Sequence, residues 1–529
     1  MKLFNPFYIS ALAILAGATA TAQEKSTFVA KKTALTEIQK QRWSHLDLKK
    51  DSIPGMSVDK VYSELLKNKK ATKIIVGVID SGLDIDHEDL KGKIWTNSKE
   101  IPGNNIDDDK NGFVDDVHGW NFLGEATDEN LELTRIVKKG DDGSETYKAA
   151  KAELDKKLTE ISRQKPQVDM ISKANKEIQA YLKKDKYTIE ELKSIVTTEA
   201  SLLRSKMIMT NIASQAGEGF QEEINSYVDY VYDQLNYNLN VEFNGRKVDD
   251  NPEDMKNTHY GNGNVKGPDV KDALHGTHVA GIIAQDRGNG IGGDGVVANN
   301  VSIMAVRAVP NGDEYDKDIA LAIRYAVDNG AKVINGSFGK DYSPHKEWVW
   351  DAIKYAASKD VLIVHAAGND SKDVDAEPNF PTDEANGKEI SDNLITIGAL
   401  NNKFGKEIVA DFSNYGAKNV DVFAPGVEIY ATVPNNEYKY EQGTSMASPN
   451  AAGVAALIRS YYPQLTASQV KHILMDSGTP ISETVIVDEA KKEIPFSNAC
   501  VSGKIVNAYN ALQMAELLSK KIKVKKLKN

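Results

Sequence analysis

The chain has 529 residues, 41% of them hydrophobic and 27% charged, proportions of a globular protein that buries a large core. At roughly 150 residues per domain there is room for about three domains at most. The 65 basic and 76 acidic side chains leave a formal net charge of −11, which argues against wholesale nucleic-acid binding; the single cysteine, Cys500, excludes an internal disulfide and a cysteine-rich zinc site.

Residues 1–22 read as a secretory signal. Lys2 supplies a positive start, Tyr8 to Gly17 is apolar but too short to anchor stably in a bilayer, and Ala20-Thr21-Ala22 offers a small-x-small cleavage pattern that would leave Gln23 first. A buried N-terminal helix is the alternative, disfavoured by the order of the three regions. No cysteine follows the cleavage pattern, so a lipid anchor is not expected, and no later apolar run is long enough to span a membrane. The expectation is a secreted or periplasmic protein whose stability comes from packing or bound ions instead of disulfides. Residues 23–60 form an N-terminal arm, and the roughly fifty residues between Ala22 and the first core strand are too few for a comfortable independent domain.

Three textures follow. Residues 61–127 begin an α/β unit, in which the apolar run Ile74 to Ile79 leads at once into Asp80-Ser81-Gly82. Residues 128–257 are rich in Lys and Glu and helical in pattern. Tyr147, Ala150, Leu154, Leu158 and Ile161 recur at three- and four-residue steps, and so do Phe220, Ile224, Val228, Val231 and Leu235. Thr188 with Glu191 is a capping-box signature ahead of Leu192, Ile195 and Leu203. In residues 258–515 the α/β texture returns, with short strands at 301–306, 332–338, 361–368 and 393–400 separated in several places by helical stretches. The fold class is therefore α/β, with a central mostly parallel sheet interrupted by an α-helical insertion. Residues 516–529 read as a basic, solvated tail.

Three segments carry chemistry. Asp80 ends an apolar strand; His275 opens His275-Gly276-Thr277-His278-Val279-Ala280-Gly281; Ser445 lies in Gly443-Thr444-Ser445-Met446-Ala447-Ser448-Pro449, ahead of a helical run. Alone, each has a structural explanation as a cap or a packed polar group. Together, in this order, they resemble the signature regions of the subtilisin-like serine peptidases, the subtilases, over roughly residues 73–122 and 258–512. The resemblance implies a three-layer subtilisin-like fold and a serine endopeptidase in which Ser445 is the nucleophile, His275 the general base and Asp80 its orienting partner. It leaves His278, one turn on, a structural role. Ala366-Ala367-Gly368-Asn369 matches the family segment that supplies an oxyanion-hole donor, here Asn369. Ser337, Phe338 and Gly339 correspond to the strand that lines substrate, with Gly368 on the opposite wall. An apolar or broad preference for the residue before the scissile bond follows, with attraction of a basic side chain by Asp370, Asp373, Asp375 and Glu377 as the alternative.

Residues 107–116 place carboxylate or amide oxygens at alternate positions. Asp107, Asp109, Asn111 and Asp115, with the Phe113 carbonyl, match the spacing of a calcium loop, although His118 stands where an EF-hand has its closing acid. A solvated Asx-rich turn is the alternative. The resemblance adds Asp89 and Asn289 as a second calcium position. Structural calcium is the expected cofactor, and peptides or proteins the expected partners. The insertion is either a subdomain near the cleft that limits access and takes inhibitor or regulatory contacts, or a peripheral decoration. A catalytically silent scaffold is disfavoured by the filled triad, and an α/β-hydrolase esterase by the residues around Ser445 and the triad order.

Overall fold

The computed structural model describes residues 28–528, positions 218 and 298 excepted. The secretory-signal segment lies outside the described residues. Nine of the fifteen strands make one sheet: β1 (Ile74–Asp80), β2 (Gly119–Asn121), β3 (Val301–Arg307), β4 (Ala331–Gly336), β5 (Leu362–Ala366), β8 (Leu394–Leu400), β9 (Val422–Pro425), β12 (Thr479–Pro480) and β15 (Lys504–Ile505). The others form hairpins: β6 (Glu384–Ala385) with β7 (Lys388–Glu389), β10 (Ile429–Val433) with β11 (Glu437–Glu441), and β13 (Thr484–Val487) with β14 (Lys492–Pro495). The sheet order is β12-β15-β9-β8-β5-β4-β1-β3-β2, parallel throughout except for the β12–β15 pair.

Strands such as IIVGVID and VSIMAVR are nearly unbroken apolar runs because helices cover both faces. Val76 and Val78 point into one core with α9 (Leu274–Ala284) and α12 (Thr444–Tyr461); Ile79 points into the other with α10 (Asp316–Asp328) and α11 (Lys346–Ser358). α13 (Ala467–Asp476) and α14 (Ala508–Lys528) close the first core. The chain leaves β1 toward β3 and leaves β4 toward β5, so a crevice opens between their carboxyl ends.

The arm belongs to this body. It carries α1 (Glu37–Arg42), α2 (Leu48–Asp51) and α3 (Val58–Lys60), and Trp43, 1% exposed, donates its indole N–H to the Val427 carbonyl at 3.0 Å. The stretch read as a basic tail continues α14, where Leu518 and Ile522 rest on the core and Lys520 pairs with Glu516 at 2.9 Å. Among the described residues no helix is long and apolar enough to cross a membrane.

The insertion is helical as its periodicity predicts: α4 (Glu132–Lys139), α5 (Glu145–Leu182), α6 (Ile189–Ser194), α7 (Ala200–Ala216) and α8 (Phe220–Asp233). Ala150, Leu154 and Ile161 are buried along α5, and both bonds of the Thr188–Glu191 capping box are present. The stripe running through Ile195 to Leu203 is broken, because the β-branched run Ile195-Val196-Thr197-Thr198 separates α6 from α7. Two apolar clusters belong to the insertion, and the second reaches Tyr342 of the sheet-bearing body. Buried ion pairs hold its base: Lys340 to Glu132 at 2.8 Å, Arg246 to Asp318 at 3.0 Å, and Lys317 to Asp250.

Candidate active site

β1 delivers Asp80 to the crevice, and α9 delivers His275 from its first turn. The approach is close because residue 276 is glycine: a Cβ there would lie 2.0 Å from the Gly82 carbonyl oxygen and 3.0 Å from Asp80 Cβ. Asp80, 2% exposed, accepts at Oδ1 from His275 Nδ1 at 2.7 Å and from the Ser81 N–H at 2.8 Å. A carboxylate only accepts, so this contact fixes the proton on Nδ1 and leaves Nε2 as the basic nitrogen. The His275 side chain is 38% exposed. Burial disfavours its charged form, but the Asp80 charge and hydrogen bond, with Glu441 further off, outweigh that and raise the imidazole above its ordinary value. His278 is buried one turn on, and its Nε2 reaches the Ile429 and Lys439 carbonyls at 3.0 and 3.2 Å.

Ser445 is the second residue of α12, half-buried at the crevice. Pro449 stands four residues later and has no N–H to give the Ser445 carbonyl its helical partner. Ser337 Oγ donates to that carbonyl at 2.9 Å, and the Ser445 hydroxyl donates to the Ser337 carbonyl at 3.3 Å. Below them, Asn335 donates to Ser337 Oγ and accepts from Ser448, at 2.9 and 2.8 Å. The end of β4 is thus clamped to the start of α12. Among the described residues no hydrogen bond joins Ser445 to His275; such bonds often tighten only when substrate binds.

Asn369 follows β5. Its Oδ1 accepts from the Thr444 N–H at 2.8 Å and the Thr444 hydroxyl at 2.9 Å, which assigns the opposite side of the amide to Nδ2. The position a Cβ on Gly443 would occupy lies 3.5 Å from both Asn369 Nδ2 and Ser445 N, so two donors flank one spot beside Ser445. Gly443 and Gly368, at φ 149° and 101°, supply backbone that a side chain resists.

Ser337, Phe338 and Gly339 line the crevice on the histidine side. The Phe338 carbonyl accepts from His365 Nε2 at 2.9 Å. The two expected wall glycines converge on Asn379, whose Nδ2 lies 2.6 Å from a Cβ built on Gly339 and 3.2 Å from one on Gly368. Asn379 also donates to the Ala367 carbonyl at 3.2 Å. A carboxamide between the walls is a polar feature with no motif to announce it in the sequence.

Residues 71–491 match the family described as the subtilase family. The chain belongs to the subtilases. It is 40% identical over 245 residues to the thermophilic serine proteinase of Bacillus sp. (strain AK1), covering 45% of this chain and 56% of that one. It is 42% identical over 214 residues to the cell wall-associated protease of Bacillus subtilis (strain 168), covering 40% of this chain and 22% of that one. Against subtilisin DY of Bacillus licheniformis the identity is 37% over 213 residues, 40% of this chain and 72% of that one. The match thus spans about half or less of the first two relatives.

The acidic loop of this subtilase gathers Asp107 and Asp109 with Glu100, with ligand atoms all within 4.8 Å of one another. Glu100 went unnoticed in the sequence because it precedes the loop. Asp115 is turned away, accepting from the Gly103 and Asn105 N–H groups, each at 2.9 Å. Its φ of 54°, with Lys110 at 60°, sends the loop out of simple alternation. Asn111 uses its carboxamide on Asp116 and on the Phe113 N–H, at 3.0 and 2.8 Å, while the Phe113 ring packs edge-on against Trp120 and Tyr325. Asp89 and Asn289 do meet: Asn289 Nδ2 donates to Asp89 Oδ1 at 2.6 Å. Asp89 Oδ2 is buried without a partner among the described residues, and burial first of all raises this carboxyl.

Proposed function

We propose that the chain is an exported serine endopeptidase that cleaves peptide bonds through an acyl-enzyme on Ser445. The 2.7 Å bond from His275 Nδ1 to Asp80 carries the reading, because it leaves Nε2 basic in a crevice also lined by Ser337, the residue hydrogen-bonded to Ser445 at a helix start. As substrate enters, the Ser445 hydroxyl swings from the Ser337 carbonyl to Nε2, gives up its proton and attacks the scissile carbonyl. The Asp80 carboxylate stabilises the imidazolium that forms. Asn369 Nδ2 and the Ser445 N–H take the negative charge on the carbonyl oxygen, helped by the N-terminus of α12. The imidazolium then protonates the leaving amine. Water, deprotonated in turn by Nε2, frees the acyl product.

Two places suit structural calcium. Glu100, Asp107 and Asp109 offer converging carboxylates, and the unpartnered Asp89 Oδ2 beside Asn289 offers buried anionic oxygen. Bound calcium would neutralise these charges and stabilise the native state without entering the reaction. Casein hydrolysis by wild type and Ser445→Ala tests the enzyme reading. Activity retained by the alanine variant overturns it.

A further inference from the structure

A cavity of about 680 Å³ opens beside Asp80 and His275, with Ser337 to Gly339 along one side. The insertion supplies the opposite side through Asp229 and Asp233 of α8. Asp128, Asp272 and Glu314 complete an acidic lining. The one cation in that lining, Arg307, does not balance it. Its guanidinium is spent on the Ser81, Gly124 and Ala126 carbonyls and on the Asn121 side chain, and it pairs with none of these acids. A neutral amide, Asn311 Nδ2, bridges Asp128 and Asp233 at 2.9 Å each.

Glu314 brings a buried carboxyl to this lining. It is 2% exposed; its own backbone N–H is the hydrogen-bond donor to its carboxyl, and Lys340 acts on it through space without a side-chain ion pair among the described residues. Burial first, with Lys340 pulling the other way and Asp313 and Asp316 behind it adding to the rise, lifts it to about 7. Burial and nearby carboxylates also raise Asp233 and Asp272. Among the described residues no cation forms an ion pair with Asp128, Asp229 or Asp233, so this part of the lining lacks its complement.

We infer that the insertion completes a substrate subsite on the acyl side of the cleft that receives a lysine or arginine side chain. This rests on the endopeptidase reading above. In an extended substrate, side chains two residues apart face the same way, so the subsite meets the second or fourth residue before the scissile bond. Its cationic head would sit among Asp229, Asp233 and Glu314.

The test uses the full-length protein at saturating calcium and quenched peptides that differ only in Lys, Ala or Glu at those two positions. Wild type is expected to cleave a Lys peptide with kcat/KM on the order of tenfold above its Glu counterpart at one position, with the ratio shrinking as salt rises. Asp229→Asn with Asp233→Asn, and separately Glu314→Gln, should lower that ratio at least threefold. Asp229→Asn alone, at an exposed position, gives the same direction if the buried changes unfold the protein. Glu223→Gln, exposed on α8 outside the cavity, should keep the wild-type ratio. Equal cleavage of Lys, Ala and Glu peptides by an active wild type overturns the subsite and leaves the endopeptidase standing. Failure to cleave any peptide or to label Ser445 overturns both.

Discussion

Replacing Asn369 separates catalysis from structure, because on the proposed mechanism its amide does two jobs at once. Oδ1 caps α12 through the Thr444 N–H at 2.8 Å, while Nδ2 faces the spot beside Ser445 N. Asn369→Ala removes both. It should cost about 1 kcal/mol of stability for the lost cap. The lost oxyanion donor should lower kcat by roughly 10²–10³, or about 3–4 kcal/mol of barrier. Asn369→Asp keeps the accepting oxygen and so should stay near wild-type stability, yet it puts a carboxylate where a donor is needed and should lose at least as much kcat. KM should change little in both variants, since the contact forms only with the transition state. Stopped assays on a peptide substrate, with thermal melts of the same samples, read both quantities. If Asn369→Asp stays within threefold of wild-type kcat, Nδ2 is not an oxyanion donor.

Further outcomes follow from the same geometry. Because Asp80 raises His275, kcat/KM should fall on the acid side with its midpoint above 6.5, as the base takes up a proton. Asp80→Asn should move that midpoint down and cut kcat by roughly 10⁴; an unmoved midpoint assigns the limb to another group. Gly276→Ala pushes a Cβ to 2.0 Å from the Gly82 carbonyl, so α9 must shift away from β1. A loss of about 1–3 kcal/mol in stability and on the order of 10²-fold in kcat/KM should result, and wild-type activity would show that the contact does not set the dyad. Chelation should lower the melting temperature, since calcium at a hundred times its Kd contributes about 2.7 kcal/mol. Asp89→Asn should be less stable than wild type in calcium but no less stable in chelator, where the buried carboxylate has nothing to balance it.

The proposed triad could be picked out because Asp80, His275 and Ser445 sit in short segments whose small residues serve close packing, as Gly276 against Gly82 demonstrates. Contacts between distant segments were not. Glu100 joins Asp107 and Asp109 only because the loop folds back on itself, and the same fold directs Asp115 to residues 103 and 105. Asn379 enters between Gly339 and Gly368 from a later loop. The amphipathic stripes announced the insertion's helices but not how deeply its base is rooted. Replacing residues 130–255 would strip Asp250 from Lys317 and Arg246 from Asp318, each loss costing about 3–5 kcal/mol for a buried charge left alone, while Lys340 would lose Glu132 but keep Asp316 at 3.0 Å. A deletion that asks what the helices do at the cleft has to keep those residues.

The most direct measurement is mass mapping of a fluorophosphonate adduct on the folded, calcium-loaded protein. One covalent adduct is expected, on the peptide that carries Ser445, abolished by Ser445→Ala and slowed by His275→Ala. No adduct on well-folded wild type, or an adduct that persists in Ser445→Ala, would contradict it.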